Sequence, residues 1–310
     1  LPYAAGDAAL REGATEWAVE ATLVRSQALG YAGLLVEALA ALDVVCPAPP
    51  SAAIRFDALR AQWLCLTGDF RGAAELVRTL PKRSIAADDD VRLEVVQGMV
   101  FVLYGLGRMR EAADVVRRVF RGRHESAAAR FRSRLTLGWL ALTAVFTGEL
   151  DEARQMIARL EPFARAFSVQ TPFVRALELC YGLIYGDFDG LREKLDEIFG
   201  LARGTGNAFL VARLYVLRGW YALLAADDTI DLAWPAEIPE PTGPEAVLRS
   251  FVERQIAVRR GEPTGPNPQP PPAELLNAHA IARTIAGEER LLAGDVTGAI
   301  DQLQVAIRMA

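Results

Sequence analysis

The chain has 310 residues, 52% of them hydrophobic and 24% charged, with 34 basic residues against 39 acidic ones and a formal net charge of -5. That composition excludes a disordered or fibrous protein and lacks the overall basic excess of a protein that coats nucleic acid. Three cysteines (Cys46, Cys65, Cys180) and two histidines (His124, His279) are too few and too scattered for a disulfide framework or a His/Cys metal site. No metal and no cofactor is therefore expected, and the compartment reads as reducing.

In chain order, residues Leu1-Pro2-Tyr3 open without a signal-peptide pattern, so a cytoplasmic location is expected. The apolar stretches Val95 to Leu106 and Trp139 to Phe146 are well short of the ~20 residues that span a bilayer, so no membrane partner is expected. Helices are predicted over Ala53 to Thr67, Asp69 to Leu80, Val91 to Gly105 and Arg110 to Arg121. Turn-rich loops separate the units at Cys46 to Pro50, Pro81 to Asp90, Gly122 to Ser126, Glu161 to Thr171 and Gly204 to Asn207. Two connectors, Trp234 to Pro244 and Gly261 to Pro272, are dense in proline, which forbids helix and favours extended backbone. They flank a helix at about Glu245 to Arg260. The last residues, Ala299 to Ala310, keep a helical pattern with no stop signal, so the chain is expected to be a segment of something longer. Three regions follow: a continuous array over 1–233, connectors around one helix over 234–272, and a final repeat over 273–310.

A small residue, a large apolar residue two positions on and an alanine five positions on recur along the chain. The instances are Gly33/Leu35/Ala38, Gly68/Phe70/Ala73, Gly107/Met109/Ala112, Gly148/Leu150/Ala153, Gly186/Phe188 with Leu191 in place of alanine, Asp228/Ile230/Ala233 and Gly294/Val296/Ala299. Glycine at the turn supplies the positive φ that ends one helix, and the alanine lets the next helix cross closely. One helical hairpin cannot bury both of its faces, so hairpins stack. The fold class expected is all-α, a right-handed α-solenoid of about eight helix-turn-helix hairpins.

Ser26, Ala61, Ala141 and Gly287 stand seven residues before the turn position, although Val100 and Leu179 depart from the small-residue rule, and Pro81 and Pro162 stand near unit ends. On these residues the chain resembles the tetratricopeptide repeat. Its longer units make it similar to the repeat arm of large ATP-binding LuxR-type transcriptional regulators and related signal-transducing ATPases. The resemblance implies a role in signal transduction and transcriptional regulation, with neighbouring domains of a longer chain as partners. It also implies that the first helix of each hairpin lines a concave groove, at positions thirteen, ten, six and three residues before the turn. Those positions select Glu20 and Gln27; Arg55, Gln62 and Cys65; Glu94, Gln97, Phe101 and Tyr104; Leu135, Leu142 and Val145; Phe173, Cys180 and Leu183; and Tyr215 and Arg218. Trp139 and Gly138 trade places if the register is shifted by one.

Phosphate-loop, HExxH, GxSxG and CxxC patterns are absent. The carboxylates Glu193, Asp196, Glu197, Glu288 and Glu289 interleave with Arg192, Lys194 and Arg290, as on a solvated helix face, and no catalytic residues are assigned. Residues 108 to 134 hold nine arginines against three acidic residues, and Arg117, Arg118, Arg121, Arg123 and Arg130 suit an anion or an acidic partner. The function expected is a non-enzymatic scaffold that binds a small ligand, a peptide or a protein in its groove, with no direct contact to nucleic acid. The groove residues favoured for this are Arg55, Gln62, Glu94, Gln97, Phe101, Tyr104, Phe173, Tyr215 and Arg218. The alternative is a constitutive protein–protein adaptor that uses the arginine-rich hairpin 108–134.

Overall fold

The computed structural model describes residues 15–43, 50–85, 87–119, 127–166, 171–227, 229–230, 232–262 and 271–309. These form fourteen helices with no strand among them, so the described chain is all-α. In order, α1 (Thr15–Tyr31) is followed by α2 (Leu35–Leu42), α3 (Pro50–Thr67) by α4 (Phe70–Arg83), and α5 (Asp89–Gly105) by α6 (Met109–Val119). Next come α7 (Ala127–Phe146) and α8 (Leu150–Ala166), α9 (Thr171–Tyr185) and α10 (Leu191–Thr205), and α11 (Ala208–Leu224) and α12 (Gly243–Arg260). The last two are α13 (Leu276–Leu292) and α14 (Val296–Met309). Among the described residues no helix is long and apolar enough to cross a membrane.

The turns show why one helix stops and the next begins. Gly33, Gly68, Gly107, Gly148, Gly186 and Gly294 have φ values from +77° to +94°, a region that a side chain makes costly. At most of these turns the following amide reaches back five residues: Leu34 N donates to Leu29 O at 2.9 Å, Arg108 N to Leu103 O at 2.8 Å and Glu149 N to Ala144 O at 2.9 Å. This bond satisfies a carbonyl that the helix end would otherwise orphan. Across each turn the alanine five positions after the glycine lies in the interface, with Ala38, Ala73, Ala112 and Ala153 at 0% exposure. Helix caps agree with the sequence: Asp69 accepts from Gly72 N at 2.9 Å and Asp88 from Val91 N at 2.8 Å.

Each helix packs on its successor in the pairs α1–α2, α3–α4, α5–α6, α7–α8, α9–α10, α11–α12 and α13–α14, and α1, α3, α5, α7, α9 and α11 pack on one another in that order. The arrangement is compatible with a helical repeat. Small residues make the crossings close: a Cβ at Gly98 on α5 would lie 2.8 Å from Ala58 O on α3. Trp63, fully buried, fills the space left by Gly30, and its Nε1 donates to Ser26 Oγ at 2.9 Å, whose hydroxyl donates to Ala38 O at 2.8 Å. One tryptophan thereby ties α1, α2 and α3, and each large apolar side chain buried in this way contributes about 1.5–3 kcal/mol.

The sixth unit differs from the expected pattern. Its positive φ falls at Ala226 (+52°), two residues before the expected turn at Asp228, and Asp227 N makes the reach-back bond to Ala222 O at 3.0 Å. Asp228 lies outside the described residues. No helix starts at Ile230, and Ala233 is exposed where a hairpin would bury it. Instead a connector crosses the molecule. Trp234 is held by Tyr215, with ring centroids 5.3 Å apart, and by the Arg249 guanidinium 4.8 Å from its own centroid.

At the end of this connector, Thr242 Oγ1 donates to Leu66 O, 176 residues away. A Cβ at Gly243 (φ +58°) would lie 2.5 Å from Cys65 O, and α12 packs on α3 as well as on α11 and α13. The second connector ends in a similar contact, Leu276 N donating to Leu106 O at 3.0 Å; residues 263–270 of it lie outside the described residues.

Candidate functional site

Where the N-terminal halves of α3 and α5 meet the start of α11, the helices enclose a cavity of about 300 Å³. On α3, Arg55, Ala58, Leu59 and Gln62 border it, positions spaced so that one helix face carries all four. On α5 the same face presents Glu94, Gln97 and Phe101, on α1 Gln27 and Tyr31, and on α7 Leu135 and Trp139. Phe173 of α9 and Asn207, Phe209 and Leu210 at the start of α11 complete the wall.

The wall has two chemically distinct parts. Phe101 lies at the centre of an aromatic group, with ring centroids 5.6 Å from Trp139 and 4.8 Å from Phe209, and Trp139 lies 5.9 Å from Phe173. Opposite are the amides and an ion-pair network in which Arg55 Nε donates to Glu94 Oε2 at 2.8 Å and the guanidinium also grips both carboxylate oxygens of Glu20. Burial alone lowers the Arg55 pKa, but hydrogen bonding to Glu20 and the charge of Glu94 lift it above its ordinary value. The guanidinium is thus held in its charged form. Gln62 is 9% exposed, and no hydrogen bond to another described residue engages its amide.

Of the groove residues expected from the repeat geometry, Arg55, Gln62, Glu94, Gln97, Phe101 and Phe173 border this one cavity, with Gln27 and Leu135. Tyr104, Tyr215 and Arg218 lie elsewhere. Tyr104 is 3% exposed, and its hydroxyl accepts from Arg213 at 3.1 Å. Tyr215 donates to Leu232 O at 2.6 Å beneath the connector. Arg218 pairs with Asp196 at 3.1 Å and covers the Phe199 ring. Cys65, Leu142, Val145, Cys180 and Leu183 are core. Trp139, not Gly138, faces the cavity; Gly138 is where a Cβ would meet the Phe173 ring at 2.5 Å. Tyr31, Asn207, Phe209 and Leu210 were not expected. Spacing of four from Leu135 signals Trp139, whereas nothing local signals the α11 residues.

The reason for this split is a closed end. The C-terminal parts of α3, α5 and α9 converge on Arg213 of α11, which contacts Tyr104 and bonds Glu245 of α12. Glu245 is 2% exposed; burial raises its pKa against the pull of Arg213. The nearby Cys180 thiol is pushed up to about 12 by burial, although Arg213 acts to lower it. Arg213 Nε and Glu245 Oε2 are buried without hydrogen-bond partners among the described residues. A second cavity, of about 360 Å³, adjoins this end between Leu34, Val36, Pro239, Pro241 and Glu245, and is walled mainly by apolar groups.

The arginine-rich hairpin is largely self-satisfied where it is described. Arg117 bonds Glu149 and Glu152 of α8, Arg108 grips Glu111 with two bonds of 2.7 and 2.6 Å, and Arg118 Nε donates to Asp114 O at 3.2 Å. Arg121, Arg123 and the side chain of Arg130 lie outside the described residues. Among the described residues no group of three or more His, Cys, Asp or Glu is placed to hold a metal ion.

Fold and cavity together define an all-helical protein of packed helix pairs with a ligand-sized, two-sided cavity between them. No protein-family model, no curated protein and no solved structure matches the chain.

Proposed function

We propose that the chain is a non-enzymatic, right-handed solenoid of tetratricopeptide-like hairpins that binds a small molecule between its first helices, as the sensing arm of a longer signalling or transcriptional regulator. The observation that carries the reading is the cavity of about 300 Å³ in which the amides of Gln27, Gln62 and Gln97 face an aromatic wall. Its volume is at the low end of small-molecule sites, and a few polar groups in a mainly apolar lining are what orient a ligand. Six helices border it. A molecule touching all six favours one set of crossing angles, and small rotations add along a stack in which each pair meets its neighbours. Neighbouring domains would sense the changed curvature. The adaptor reading draws less support, because Arg108 and Arg117 already have carboxylate partners.

Native mass spectrometry of the chain purified from its host, followed by denaturation of the same sample, tests the reading. A small molecule held at one-to-one stoichiometry and lost in Trp139→Ala supports it. A co-purifying protein retained through the arginine-rich hairpin, or a small molecule retained equally by Trp139→Ala, overturns it.

A further inference from the structure

We propose that this cavity selects an uncharged, flat ligand whose edge places a hydrogen-bond donor beside an acceptor, as a primary amide, lactam or pyrimidine edge does, on an aromatic body. The inference rests on the binding reading above and names the ligand class for that same cavity.

Charge is decided by Arg55 and Glu94, which are the charged side chains bordering the cavity. They neutralise one another at 2.8 Å, with side chains 11% and 13% exposed, while Glu20 on the far side of Arg55 is half in solvent. An anion entering here finds its guanidinium already gripped by two carboxylates, and a cation finds the nearest carboxylate already spent. Either ion loses its hydration without gaining a partner, which is the expensive case for a charge.

Hydrogen bonding is decided by the amides. Gln62 is 91% buried and has no hydrogen-bond partner among the described residues, and the Gln27 amide on the adjoining helix has none either. A carboxamide presents an acceptor and a donor side by side, and a ligand that covers the Gln62 amide without pairing it would leave it buried and unpaired, at a cost of about 1–3 kcal/mol. A ligand edge with the complementary donor and acceptor removes that cost at once. An apolar molecule does not. Shape is decided by Phe101, Trp139, Phe173 and Phe209, whose mutual angles of 43° to 73° leave ring faces and edges for a planar body to contact.

An isosteric series separates these terms: indole-3-acetamide, indole-3-acetate and tryptamine share one aromatic body and differ in being neutral, anionic or cationic. Calorimetric titration of the full chain is expected to show the amide binding at least about ten-fold more tightly than either ion, or about 1.4 kcal/mol. Gln62→Leu, with fold checked by circular dichroism, is expected to weaken binding of the amide about ten-fold; Gln27→Leu, at a half-buried position, is the second variant and is expected to weaken it less. Equal or tighter binding of acetate or tryptamine, no binding of any of the three, or binding of the amide that is unchanged in both glutamine variants overturns the ligand class. If an ion binds tightly and is lost in Trp139→Ala, only the neutral class fails and the cavity stands as a site. If binding of the series survives Trp139→Ala, the cavity itself fails.

Discussion

Arg213 and Arg55 both pair with carboxylates on other helices, yet their surroundings are opposite. Arg213 is sealed with Glu245 and Tyr104, and both members of the ion pair keep a buried atom without a partner among the described residues. Arg55 has all three of its nitrogens bonded, and one carboxylate partner is half exposed. The sealed pair draws three helices together. The open pair leaves a cavity beside it and keeps its charge without demanding a ligand ion. The same residue type thus ties helices together in one place and borders a cavity in the other.

Breaking the sealed pair has the largest expected effect. Glu245→Ala leaves the Arg213 charge buried and unpaired, and chemical denaturation is expected to show a loss of about 3–5 kcal/mol. Replacing both partners, as Arg213→Met with Glu245→Leu, is expected to recover most of that loss. If the double variant is as unstable as the single one, Arg213 is not held by its charge partner.

Alkylation reads the same seal by rate. With the Cys180 thiol pushed up to about 12 and Cys65 raised still further, both by burial, neither should react with iodoacetamide in the native chain, because the thiolate is the reactive form. Glu245→Ala should speed the reaction at Cys180. Unchanged protection in that variant would show that packing alone keeps the thiol out of water.

Smaller effects sharpen the open side. Gly98→Ala forces a methyl against the Ala58 carbonyl where α3 and α5 cross beneath the cavity, and is expected to cost about 1–3 kcal/mol by overpacking. Arg55→Met should cost about 1–3 kcal/mol, mostly through Glu94, which is 13% exposed, since Glu20 is well solvated. Gln62→Leu should be neutral or slightly stabilising without ligand, because the residue is 9% exposed and its amide has no hydrogen-bond partner among the described residues to lose. Arg117→Ala, with partners 41% and 43% exposed, should change stability by no more than about 0.5 kcal/mol.

What the sequence made legible follows from how local each feature is. Gly33, Gly107 and Gly148 with alanine five residues later are local signals, and both the turns and the alanine burial can be read from them. Positions on α3 and α5 that border the cavity follow from helical spacing back from those turns. The sixth unit misled because Asp228 imitates a turn residue, while Ala226 takes up positive φ without any sequence mark. Tyr104 and Arg218 sit at valid groove spacings but are consumed by partners 109 and 22 residues away. No local pattern reports such contacts, because they join helices that are separate in the chain.

The bond from Thr242 to Leu66, 176 residues apart, bears on how the protein is made. During synthesis α3 leaves the ribosome long before the segment that clasps it exists, so the early helix pairs wait with Cys65 and Leu66 unclasped. Stacks whose units touch only their neighbours can assemble from either end. This one has a step of high contact order that closes last, and loop closure over such a distance is slow. A nascent chain halted before residue 242 therefore leaves the Cys65 and Leu66 carbonyls without the contacts that the finished protein gives them.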